Sequence, residues 1–115
     1  MFTNSIKNRL ARVASNQLVK TPQRGIKLHE YQAGALLNSY RVNIPLGEVA
    51  FTADEAHKIA SGLPGGCVVK SQILGGGRGQ GTFTDGFKGG VHLVNDAAGA
   101  KDIASKMLNN RLVTK

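Results

Sequence analysis

The chain has 115 residues, with 15 lysines and arginines against 7 aspartates and glutamates, and one cysteine. That length supports a single modest domain, and the lone Cys67 excludes an internal disulfide and, with no second thiol or nearby histidine, offers no metal-ligand spacing. The formal charge of +8 invites a nucleic-acid partner, but its distribution argues against one.

Residues 1–29 hold Lys7, Arg9, Arg12, Lys20, Arg24 and Lys27 and no acid, whereas the rest carries nine basic and seven acidic residues, a surplus of two. The excess therefore belongs to an N-terminal segment. Phe2, Ile6, Leu10 and Val13 recur at helical steps, with Lys7, Arg9 and Arg12 largely off that stripe. A basic amphipathic helix with Thr3, Ser5, Ser15 and Thr21 and no acids has the composition of an organellar targeting presequence, predicted over residues 1–27. No apolar stretch approaches the length needed to span a bilayer. Neither a nucleic acid nor a membrane is expected as a partner.

Residues 28–115 read as alternating elements. His29 to Tyr40 forms a first helix, with Tyr31, Ala35, Leu36 and Tyr40 near helical spacing. A turn through Val42, Asn43 and Pro45 leads to a short strand at Gly47–Phe51. Thr52 and Glu55 make the T-x-x-E capping box of a second helix, whose Ala56, Ile59, Ala60 and Leu63 form an inward stripe. A strand follows at Cys67–Leu74, then a glycine-rich excursion from Gly75 to Gly90, turned at Asp85-Gly86 and carrying Phe83 and Phe87 as a candidate mobile cover. A strand at Val91–Val94 and a third helix, capped by Asn95 or Asp96 and burying Ala100, Ile103, Ala104 and Met107 or Leu108, precede a fourth strand opening at Leu112. The fold class is α/β (α+β), expected to be incomplete because that last strand begins where the chain stops.

The chemistry concentrates in VVKSQILGGGRGQG at 68–81. Glycine tolerates positive φ and lets backbone N–H groups approach an anion closely. Lys70 and Arg78 supply charge. Starting from Gly75, the sixth position of a dinucleotide-binding turn is Gln80, and no glycine-lysine-hydroxyl run exists for a P-loop. Lys70 leads into the glycine loop, and ligands in open α/β sheets gather beyond strand C-termini. His29, His57 and His92 are far apart and share no partner pattern, and no paired carboxylates or Ser-His-Asp arrangement is present. No catalytic residue and no metal ligand is assigned to this chain.

LHEYQ at 28–32, VVKSQILGGGRGQG at 68–81, GGVHLV at 89–94 and LVTK at 112–115, in that order and spacing, resemble the start of the β subunits of succinyl-CoA ligases. The inserted GTFTDGFKGG resembles the eukaryotic organellar members. The resemblance implies the N-terminal part of an ATP-grasp domain over 28–115, with Lys70 as a phosphate-contacting lysine and Gly77, Arg78 and Gly79 as a nucleotide-binding triplet. Pro45 matches a position near the base pocket and favours the ADP-forming type. Gly75 stands where the family usually has alanine, and Gln80 where it has lysine. The resemblance also implies ATP or ADP as nucleotide, Mg2+ held by residues outside this chain, an α subunit as partner, and CoA and succinate as further substrates. The reaction interconverts succinyl-CoA, ADP and phosphate with succinate, CoA and ATP in the tricarboxylic acid cycle, in the mitochondrial matrix or a related organelle such as the hydrogenosome. A truncated chain of this kind is expected to be inactive alone. The alternatives are a related malate-CoA ligase or citrate-cleaving enzyme, and a non-catalytic anion-binding module.

Overall fold

The computed structural model describes residues 25–115. The presequence predicted over 1–27 lies, apart from its last residues, outside them. The elements run α1 (Glu30–Ser39), α2 (Ala53–Ser61), β1 (Cys67–Lys70), a 3₁₀ turn (Arg78–Gln80), β2 (Thr82–Phe83), β3 (Val91–Val94), α3 (Ala97–Met107) and β4 (Leu112–Val113). No helix among the described residues is long and apolar enough to cross a membrane.

Helix starts follow the local chemistry. At α2 the Thr52 hydroxyl accepts from the Glu55 amide at 3.1 Å, and the Glu55 carboxylate takes the Thr52 and Phe51 amides at 3.2 and 2.7 Å. These contacts satisfy amides that a helix N-terminus leaves unpaired. The Asp96 side chain caps α3 through the Gly99 amide at 2.7 Å. The Gln32 side chain receives the His29 amide at 3.0 Å at the head of α1.

The strands form two antiparallel pairs, which makes the fold α+β. β1 pairs with β3, setting Cys67 opposite Val94 and Lys70 opposite Val91, and β2 pairs with β4, setting Phe83 opposite Leu112. Two predicted strands are altered. β1 ends at Lys70 and not at Leu74, because after one further bond, from the Ser71 amide to the Gly90 carbonyl at 2.8 Å, the Gly90 and Gly89 amides bond the Arg78 and Gly81 carbonyls instead. Gly47–Phe51 forms no strand: no described segment pairs with it, and the Phe51 amide is already taken by Glu55.

The core lies where α2 packs on α3 and α3 covers the β1–β3 pair. Its buried apolar residues are Ala56, Phe83, Val94, Ala100, Ala104 and Met107, and three of the six are alanines, so the core is thin and depends on close helix approach. The α2 and α3 stripes match expectation, with Ile59, Ala60, Leu63 and Ile103 half-buried. α1 differs: none of its residues is fully buried, Leu36 and Tyr40 are exposed, and only Tyr31 of the predicted stripe is half-buried.

The segment after the glycine loop is a hairpin turned at Asp85-Gly86. The Phe83 amide donates to the Phe87 carbonyl at 2.7 Å and the Gly86 amide to the Phe83 carbonyl at 2.9 Å. Asp85 caps the turn through the Phe87 amide at 3.0 Å. Phe83 is 4% exposed and the Phe87 ring stacks on His92 with centroids 4.9 Å apart, so both aromatics are docked on the packed body.

Candidate anion-binding site

β1 delivers Lys70 at its C-terminal end. Strand alternation turns Cys67 and Val69 inward and Val68 and Lys70 outward, and that is the burial observed. Eight residues later the chain reaches Arg78 through Gly77, whose φ of +80° is left-handed. That conformation is cheap only for glycine, and it starts the 3₁₀ turn in which the Gln80 amide bonds the Gly77 carbonyl at 3.0 Å.

Arg78 is fixed from behind. Its Nη1 donates to the Ser71 carbonyl at 3.0 Å, while its own carbonyl receives the Gly90 amide at 2.8 Å. The fit at Gly90 is close: a Cβ there would stand 2.9 Å from the Arg78 carbonyl oxygen and 2.9 Å from Leu112 Cδ2. Gly79 lies against Val91, its Cβ position 3.9 Å from Val91 Cγ2, whereas Gly75 and Gly76 face open space. Among the described residues, the amides of Gly75, Gly76, Gly77, Arg78 and Gly79 donate to no protein acceptor. Exposed donors beside two cations suit a polyanion.

Lys70 and Arg78 are joined by Glu30, from the first turn of α1. Lys70 Nζ lies 2.9 Å from Glu30 Oε1, and Arg78 Nη2 pairs with Glu30 Oε2. The Lys70 ammonium first, and the Arg78 guanidinium after it, hold the Glu30 carboxyl below its ordinary range against the opposing effect of burial. The cluster is open to solvent, with side-chain exposures of 38% for Lys70, 48% for Glu30 and 24% for Arg78, so an anion can reach it. α1 is further tied on by the Tyr31 amide, which donates to Gln72 Oε1 at 3.3 Å.

The structure thus brings Lys70, Gly77, Arg78 and Gly79 together on one loop and strand end. Pro45 is not among them. It sits on the exposed segment between α1 and α2, next to a hollow of about 270 Å³ lined by Leu46, Gly47, Glu48, Ile59, Gly62 and Leu63. Glu30 escaped the sequence reading, although it stands inside the LHEYQ motif and is the first acid after the basic N-terminal segment. No group of three or more His, Cys, Asp or Glu side chains converges among the described residues.

The ATP-grasp domain family matches residues 27–115. The chain is 51% identical over 94 residues to the mitochondrial ADP-forming succinate–CoA ligase subunit beta of Dictyostelium discoideum, covering 81% of this chain and 21% of that protein. It is 52% identical over 90 residues to the corresponding subunit of Opitutus terrae, covering 77% and 23%. It is 46% identical over 94 residues to the hydrogenosomal subunit of Neocallimastix frontalis, covering 81% and 22%. The chain therefore spans between a fifth and a quarter of the length of these relatives.

Proposed function

The chain belongs to the ATP-grasp family, and on that premise we propose that it forms the nucleotide-contacting start of the β subunit of an ADP-forming succinate–CoA ligase. The observation that carries this reading is the pair Lys70 and Arg78, gathered on one carboxylate beside a run of glycine amides with no protein acceptor.

Phosphoryl transfer asks a protein chiefly for positioning and for neutralisation of developing charge. Lys70 supplies a compact point charge with donors to spare, since Glu30 takes one of the three N–H groups an ammonium carries. Arg78, braced by the Ser71 carbonyl, presents a planar fork suited to phosphate oxygens. Gly77 gives the loop its left-handed turn, and Gly79 keeps the backbone beside Arg78 free of a side chain. Pro45 contributes to nucleotide preference. Mg2+ ligands, the α subunit, and the CoA and succinate sites are assigned to parts of the full enzyme outside this chain. The relatives named as mitochondrial and hydrogenosomal support import into an organelle through residues 1–27.

The test is titration of the 115-residue chain with ADP and ATP, wild type against Lys70→Ala. A charged hydrogen bond to phosphate is worth roughly 1.5–3 kcal/mol, so the substitution is expected to weaken binding by roughly 10- to 100-fold at 1.4 kcal/mol per decade. Equal affinity of the two proteins removes Lys70 from the site. For localisation, residues 1–27 fused to a fluorescent protein are expected to enter mitochondria, and a diffuse cytosolic signal refutes the presequence.

A further inference from the structure

We propose that Glu30 is an internal occupant of the anion seat, a carboxylate held across Lys70 and Arg78 that an incoming polyphosphate must displace. The inference rests on the reading of those two cations as phosphate contacts.

Three observations carry it. First, the two carboxylate oxygens divide between two cations that arrive from different elements: Oε1 takes Lys70 Nζ at 2.9 Å and Oε2 takes Arg78 Nη2. A bridging carboxylate and a bridging phosphate place the same demand on such a pair, two oxygens for two donors. Second, among the described residues Lys70 Nζ has no other partner, whereas Arg78 keeps its bond to the Ser71 carbonyl. Losing Glu30 therefore frees Lys70 entirely and leaves Arg78 oriented. Third, Glu30 is on the first turn of a helix that buries none of its residues, and its side chain is 48% exposed. A swing of this side chain into water leaves no buried group unsatisfied, so release is inexpensive.

A phosphate that entered without displacing Glu30 would meet its negative charge at contact distance. Removing the charge while keeping the shape should therefore tighten anion binding, and by the same factor for any polyphosphate, because freeing the cations precedes recognition of the rest of the ligand. A residue that merely supported the fold would change melting temperature without that common gain.

The experiment measures ATP and inorganic tripolyphosphate binding to wild type, Glu30→Gln, Lys70→Ala and the double variant by calorimetry. Glu30→Gln is expected to bind both ligands roughly 2- to 10-fold more tightly, the scale of one or two exposed ion pairs. In the Lys70→Ala background the gain should shrink toward one. Glu30→Ala, which also removes the accepting oxygen, is expected to show at least the gain of Glu30→Gln. Equal or weaker binding by Glu30→Gln, a gain that persists in the double variant, or no tripolyphosphate binding by any of the proteins overturns the proposal. A gain for both ligands with no preference for ATP over tripolyphosphate supports the internal occupant while counting against the nucleotide reading.

Discussion

At the residue scale, the proposed site turns on one carboxylate and one glycine. Glu30 is held below its ordinary titration range by Lys70 and then Arg78. A depressed folded pKa means that its contribution to stability is fully present above the unfolded value of about 4.5 and is lost as pH falls through the folded value. Wild type should therefore melt above Glu30→Gln at neutral pH, by a modest margin because the pair is half exposed. The gap should close as the pH is lowered through the acid range, and a gap constant with pH contradicts the ion-pair assignment. Gly90 sits where a methyl group would strike the Arg78 carbonyl and Leu112. Gly90→Ala is expected to cost about 1–3 kcal/mol, read as a fall in melting temperature. Lys70 and Arg78 were legible as cations beside glycine, because charge and chain flexibility are local properties. Glu30 was not, because it lies 40 residues from Lys70 and only folding makes them neighbours.

At the element scale, α2 and α3 are bound by packing and α1 by polar contacts. The helix pair meets through small side chains, with Ala100 1% and Ala104 4% exposed, and the Lys101–Asp54 ion pair at 2.6 Å lies on its rim. Capping is part of this construction, and Asp96→Ala should destabilise the chain by about 0.5–2 kcal/mol, measurable by denaturant titration. α1, by contrast, is attached through Glu30 to Lys70 and Arg78 and through the Tyr31 amide to Gln72. Exposed ion pairs weaken with salt whereas apolar packing does not. Amide hydrogen exchange in 30–39 is therefore expected to be faster than in 97–107, and to quicken further between low and high salt. Equal protection of the two helices contradicts this division. Spacing and caps located all three helices, but not which face α1 buries, because its stripe of Leu36 and Tyr40 is left to solvent. The strand expected at Gly47–Phe51 failed for a related reason: β propensity is not enough without a partner to accept the ladder.

For the molecule as a whole, the charge surplus and the proposed anion site lie in different parts. Six of the 15 basic residues lie in residues 1–27, and all four residues assigned to the anion site lie in 70–79. Deleting 1–27 should therefore leave ATP affinity unchanged while removing most retention on a cation exchanger. RNA binding that survives the deletion and falls steeply with salt would instead favour a nucleic-acid role. Composition and spacing by themselves determined the basic N-terminal segment, the caps, the helix periods and the cationic glycine loop, since each depends on residues within a few positions of one another. The tertiary structure alone decided that the strands pair antiparallel, that Phe83 and Phe87 pack on the body, and that a glutamate from the first helix closes over Lys70 and Arg78. Those outcomes depend on contacts between residues tens of positions apart, which hydrophobic burial and charge pairing select together and no local pattern encodes.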